Sequence, residues 1–194
     1  MVKKLSVAFI WHMHQPSYKD ESTGLYVMPW VRLHAIKDYL DMLLLLDEFP
    51  NIKQTFNLVP LLLEQIQDYA YNEAHDLLSK YTVCDISTLS IDDKSYILDH
   101  FFDANYTNQI KTNERYLELY NKRFEDNSET GTFTDEEISD LMAIFNLVWF
   151  DPLHIEKNNR LKELLDKGRG YTLEERIEII DLQRQIMKDR KSVV

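Results

Sequence analysis

Hydrophobic positions change their spacing along this chain, and the change marks its elements. Leu5 to Trp11 is a short apolar run without helical period, which predicts a buried strand. Ile52 to Leu58, with Thr55 and Phe56, predicts a second short strand. Between them, Ala35 to Glu48 places Ile36, Tyr39, Leu40, Leu43, Leu44 and Leu46 on one broad face, as an amphipathic helix does, and Pro50-Asn51 ends it. This β-α-β order predicts two parallel strands joined by a right-handed connection. A parallel pair with both edges open is marginal alone and suits a piece of a larger sheet.

After Pro60 the pattern is helical throughout. Leu61 to Tyr69 and Asn72 to Lys80 read as helices, the second short. Another opens at Ser90 with Asp93 and runs to about Phe102, and Lys111 to Phe124 follows. A turn is expected over Asn127 to Gly131. Thr134 with Glu137 forms a capping-box pattern before Ile138, Leu141, Met142, Phe145 and Val148. Ile155 to Lys167 reads as helix up to Gly168-Arg169-Gly170. Thr172 with Glu175 is a further capping box, opening a helix to about Lys188 that carries Leu173, Ile177, Ile180 and Met187. So much helix exceeds what one helix per strand can absorb. The expected class is α/β but helix-dominated: residues 1–60 as a first βαβ unit, residues 61–194 as a helical insertion. The segment Arg190 to Val194 brings no closing element, as expected of a fragment of a larger domain.

Composition narrows the partners. A net charge of −11 argues against a nucleic-acid backbone, which needs a basic face. One cysteine, Cys84, rules out an internal disulfide framework and fits a reducing compartment, so a cytoplasmic location is expected. Met1-Val2-Lys3-Lys4 is a charged start, but the apolar stretch stops at Trp11, unlike a signal peptide. No apolar run approaches the roughly 20 residues that span a membrane. The 11 tyrosines could face sugars, although helix tyrosines more often pad a core edge.

The chemistry concentrates where the first strand ends. In an extended strand, residues two apart share a face, so His12 and His14 project together, and Pro16 stops the strand. Parallel α/β folds bind ligands beyond that end. Asn57 closes the second strand at the same level. Trp30, Arg32 and His34 come next, on a loop and helix start. Arg32 there could grip a carboxylate or sugar hydroxyls in a bidentate fork, or bond the protein's own carbonyls and carboxylates. Trp149 sits among Phe145, Val148 and Phe150 and reads equally as core or as cleft wall, while Asp151-Pro152 is an ordinary helix stop. Asp20 and Glu21 are adjacent on a polar loop, an unsuitable mounting for a catalytic pair. A His-x-His pair at a strand end also serves zinc hydrolases, since two imidazoles can share one ion.

Four blocks, taken in order, carry a resemblance. They are Phe9-Ile10-Trp11-His12-Met13-His14-Gln15-Pro16, Pro29-Trp30-Val31-Arg32-Leu33-His34 running into Ala35-Ile36-Lys37-Asp38-Tyr39, Lys53-Gln54-Thr55-Phe56-Asn57-Leu58-Val59-Pro60, and Phe145-Asn146-Leu147-Val148-Trp149-Phe150-Asp151-Pro152. Together they resemble the N-terminal part of glycoside hydrolase family 57, which comprises α-amylases, amylopullulanases, 4-α-glucanotransferases, branching enzymes and α-galactosidases. The resemblance implies an incomplete (β/α)7 barrel, retaining chemistry on α-linked glucans, and no metal or cofactor. It also places the family's glutamate nucleophile and aspartate acid/base beyond the point matching Val194. No catalytic residue is therefore expected within this chain, and the isolated chain is expected to be inactive. Its implied substrate-binding residues are His12, His14, Gln15, Trp30, Arg32, His34, Asn57 and Trp149. The implied partners are an α-glucan or oligosaccharide and the rest of the barrel, with no nucleic acid and no membrane. Two alternatives stay open: an amidohydrolase-like metal hydrolase using His12 and His14, and a non-catalytic carbohydrate-binding remnant.

Overall fold

The computed structural model of the chain describes residues 5–125 and 128–188. The start of the expected turn at Asn127, the first four residues and the segment from Arg190 to Val194 lie outside the described residues. Two strands, β1 (Ile10–Met13) and β2 (Thr55–Leu58), form a parallel pair. Their register is Ile10 with Thr55, Trp11 with Phe56, His12 with Asn57 and Met13 with Leu58. Order and direction match the expectation from the apolar runs; the bounds do not. The ladder opens with Thr55 N donating to Phe9 O at 3.1 Å and closes with Val59 N donating to Met13 O at 3.2 Å. Pairing thus extends into the histidine motif, and His12 lies within β1 instead of after it.

The expectation that Leu5 to Trp11 is buried is corrected. Leu5 is 88% exposed and Phe9 59%, because among the described residues no further layer covers this segment. Further along, alternation takes over. Met13, Phe56 and Leu58 pack on the core, while His12, His14, Thr55 and Asn57 face outward. One face of the small sheet therefore rests on helices, and the open face carries the polar side chains.

The single helix expected over Ala35 to Glu48 is two helices, α1 (Trp30–Ala35) and α2 (Asp38–Glu48). The Ile36 carbonyl accepts from Asp151 N at 3.2 Å, so a distant segment draws it away from helical bonding and the chain breaks there. Trp30, Arg32 and His34 accordingly belong to a helix of their own. Pro60 occupies the first turn of α3 (Pro60–Tyr71), where its missing N–H costs nothing. Next come α4 (Leu77–Thr82), α5 (Ile91–His100), a π-type turn at Tyr106–Ile110, α6 (Glu114–Phe124) and α7 (Asp135–Leu147). The chain continues through α8 (Pro152–Lys157), α9 (Asn159–Lys167) and α10 (Leu173–Lys188). The capping box at Thr134/Glu137 forms as read, Thr172 and Glu175 exchange the same reciprocal bonds, and the helix start read at Ser90 with Asp93 is also closed by a capping box. The helix expected from Ile155 to Lys167 is divided into α8 and α9 because the Asn158 side chain caps α9, accepting from Arg160 N and Leu161 N.

Helix α7 is the hub. From Ile138 to Leu147 every residue is buried, and α4, α5, α6, α9 and α10 pack around it. Its buried polar groups all have partners: Asp140 takes Arg115, and Asn146 takes Arg32 and Thr82. One continuous core runs from Met13 to Met187. No helix among the described residues is long and apolar enough to cross a membrane.

Candidate functional site: a groove beyond the strand ends

The open end of the sheet carries two parallel imidazoles. The rings of His12 and His14 stack with centroids 5.9 Å apart and planes 7° from parallel. Strand geometry requires this, because Met13 between them points into the core. Asn57 Nδ2 lies 3.0 Å from His12 Nδ1. An amide nitrogen can only donate, so Nδ1 accepts and the neutral ring carries its proton on Nε2. That leaves a directed N–H donor on His12. The nitrogens of His14 bond no other described residue and are free to meet a ligand.

Gln15 lies in the same wall but is already engaged. Its Oε1 accepts from Tyr18 OH at 2.9 Å, and its Nε2 donates to Tyr39 OH at 3.2 Å. Burial pushes both tyrosine hydroxyls up from their ordinary pKa range, so they remain neutral hydrogen-bonding groups. Gln15 thus braces the motif more than it offers groups to a ligand. Behind it, Gln65 is buried, accepting from Tyr18 N and donating to Pro16 O, both at 3.0 Å. Two glutamines therefore fix the turn that follows the histidines.

The following loop is tied down by Asp68. It accepts from Lys19 Nζ at 2.6 Å, Tyr26 OH at 2.9 Å and Asn72 Nδ2 at 2.8 Å. Burial alone would raise this carboxyl, but the bonds from Lys19, Asn72 and Tyr26 outweigh it and hold the pKa below the usual value. A carboxyl depressed on folding stabilises fully above its unfolded pKa of about 4, and the contribution is lost as pH falls through the lower folded value. The expected difference in melting temperature between the natural chain and Asp68→Asn is therefore constant from about pH 7 to pH 5 and closes below about pH 4. Thermal melts across that range check this, and a difference that ignores pH contradicts it.

A cavity of about 220 Å³ is lined by Trp11, His12, Met13, His14, Gln15, His34, Asp38, Tyr39 and Met42. A larger one, about 750 Å³, adjoins it at His34 and Asp38 and runs between Trp30, Trp149 and the segment from Phe102 to Gln109. Together they make one groove leading away from the strand ends. His34 Nδ1 donates to Asp38 across the break between α1 and α2, which orients the ring at the junction. The rings of His34 and Trp149 form a T-shaped pair with centroids 5.6 Å apart, and the Trp30 ring lies 6.1 Å from that of Trp149. Trp149 is only 8% exposed. It serves chiefly as backing, and the half-buried Trp30 offers the freer aromatic surface.

Of the residues expected to bind substrate, His12, His14, Gln15, Trp30, His34 and Trp149 line this groove, and Asn57 stands beside His12. Arg32 does not. It is 1% exposed and points inward, donating from Nε to Asp76 at 2.6 Å and from a terminal nitrogen to Asn146 at 2.8 Å. On α1 it falls on the face opposite the groove, so its substrate-binding assignment is corrected to an internal ion pair. Lys37, Asp38, Tyr39 and the segment Asp103–Gln109 line the groove without having been singled out in the sequence. Only the His34/Asp38 pairing carried a readable signal, an i, i+4 spacing.

A family model described as Glycosyl hydrolase family 57 matches residues 8–182. The chain belongs to glycosyl hydrolase family 57. No curated protein and no solved structure matches it. Membership makes the chain kin to glycoside hydrolases and transglycosylases that act on glycans, and makes a carbohydrate its substrate class. The matched span of this family 57 chain includes both strands, the histidine motif and Trp149. Among the described residues no three His, Cys, Asp or Glu side chains gather closely enough to hold a metal ion.

Proposed function

We propose that this family 57 chain provides the binding wall of an enzyme acting on α-linked glucans. His12 Nε2 and the free nitrogens of His14 meet the hydroxyls of one sugar ring at the strand ends. His34 and Trp30 carry the next part of the glucan along the groove, with Trp149 behind them and Asn57 setting the His12 tautomer. Residues 1–60 act as the first βαβ unit of the barrel and present the histidines. Residues 61–194 act as the helical insertion and supply the far wall. The observation that carries this reading is the parallel pair of imidazoles opening into a groove with aromatic walls. Sugars offer apolar ring faces and a hydroxyl rim, and such a lining answers both.

Retaining hydrolysis needs two carboxyl groups about 5–5.5 Å apart across the scissile bond. Asp38 and Asp103 are the carboxylates in the groove lining; Asp38 accepts from His34, and Asp103 lies 3.7 Å from His100 Nδ1. In this reading the catalytic pair comes from later strands, as the family resemblance implies. The chain is therefore expected to bind maltoheptaose, to ignore the β-linked cellohexaose, and to hydrolyse neither. Tryptophan fluorescence titration and a reducing-sugar assay check this together. Equal affinity for both sugars would remove the α-glucan assignment, and turnover abolished by Asp38→Asn would place catalysis inside the chain.

A further inference from the structure

We propose that the turn from Asp103 to Gln109 forms a second sugar subsite, in which Asn105 and Asn108 read the hydroxyls of a further ring and so make the groove selective for longer oligosaccharides. The inference rests on the reading of the strand end as a glycan site and extends it to the other end of the groove.

Space is the first argument. The part of the groove beyond His34 holds about 750 Å³, against about 220 Å³ at the histidines. A ring bound at the strand end leaves most of the groove unfilled. Chemistry is the second. The lining of this larger part combines the aromatic Trp30 and Trp149 with the short amides Asn105 and Asn108. An aromatic surface together with planar hydrogen-bonding groups suits a ring with apolar faces and a polar rim. The charged groups in the lining are Asp38, Asp103, Lys37 and, when protonated, His34. With two carboxylates against one permanent cation, a neutral ligand is favoured over an anionic one.

The amides are also available. Asn105 Oδ1 accepts from Asn108 N at 2.9 Å, which leaves its amide donors unused. The exposed Asn108 side-chain amide has no hydrogen-bond partner among the described residues. Rigidity is the third argument. The turn is π-type, with Ile110 N donating to Asn105 O at 3.2 Å and Lys111 N to Tyr106 O at 2.8 Å. Gln109, 6% exposed, anchors it from behind. Its Oε1 accepts from Asn105 N at 2.8 Å, and its Nε2 donates to the carbonyl of Val148 at 2.9 Å, the residue before Trp149. The polar wall and the aromatic wall are therefore fixed to each other, and a ligand between them meets a preformed width.

The test is the length preference of the 194-residue chain. Maltose and maltoheptaose are titrated into the natural chain, Asn108→Ala and Asn108→Asp, and melting temperatures confirm that each variant is folded. The natural chain should bind maltoheptaose more tightly than maltose. Both variants should lower that preference about five- to tenfold, the worth of one hydrogen bond. Asn108→Asp keeps the size and removes the donors, so it separates hydrogen bonding from shape. A preference unchanged in both variants overturns the second subsite. If His14→Ala still weakens binding of both sugars in that case, the strand-end site stands without it. No binding of either sugar by the natural chain would overturn both readings.

Discussion

Arg32→Ala is expected to destabilise the chain by about 3–5 kcal/mol, the cost of leaving a buried carboxylate without its partner. Arg32 and Asp76 are 1% and 0% exposed. The guanidinium grips the carboxylate twice, from Nε at 2.6 Å and from a terminal nitrogen at 3.2 Å, and its other terminal nitrogen donates to Asn146 at 2.8 Å and to Gln183. One side chain on α1 thus joins the start of α4 to the hub α7 and to α10. Burial alone would raise the Asp76 carboxyl, but Arg32 and the cap bond from Ser79 N hold it below its usual value. Without the guanidinium, the burial penalty is left largely unopposed. The deficit of the variant should therefore be largest near neutral pH and shrink as pH falls into the carboxylate range, where Asp76 gains a proton. Urea unfolding followed by circular dichroism at pH 7 and pH 4 measures both. A loss below about 1 kcal/mol, accompanied by weakened sugar binding, would return Arg32 to the groove.

His14→Ala has the second large expected effect, on binding with little on stability. The side chain is exposed, and its nitrogens bond no other described residue. Only ring stacking on His12 is lost inside the protein. Hydrogen bonds from both ring nitrogens are together worth about 1–3 kcal/mol, which converts to roughly one to two orders of magnitude in affinity. Where hydrolysis takes place, kcat/KM should fall by a similar factor. Asn57→Ala should act in the same direction but more weakly, since it frees the His12 tautomer without removing a contact.

Features set by neighbours in sequence were readable in advance; those set by distant partners were not. Thr134 with Glu137 and Thr172 with Glu175 are three residues apart, and each closes the box its spacing predicts, while Ser90 with Asp93 starts the helix expected there. The two-residue period of a strand was enough to put His12 and His14 on one face. Arg32 is the contrasting case. Its partners Asp76, Asn146 and Gln183 lie 44, 114 and 151 residues away, so nothing local separated an internal ion pair from a ligand clamp. The break between α1 and α2 likewise comes from Asp151 reaching Ile36, and no pattern within 35–48 announces it. The far wall of the groove was unreadable for a related reason. Residues 103–109 look like a polar surface turn, and only the bond from Gln109 to Val148 brings them into one lining with Trp30. Exposure of Leu5 and Phe9 shows the opposite failure: apolar composition predicts burial only where a layer is present to bury against.

The role assigned to the groove rests on the two histidines as ligand contacts. The most direct measurement is one titration of maltoheptaose into the natural chain and into His14→Ala, followed by tryptophan fluorescence, with thermal melts on the same samples. Trp30 and Trp149 line the groove, so occupancy should alter the emission. The natural chain should saturate, and His14→Ala should need roughly ten- to a hundredfold more sugar while melting at the same temperature. A lower melting temperature with unchanged affinity would make His14 a packing residue and contradict the assignment of the groove.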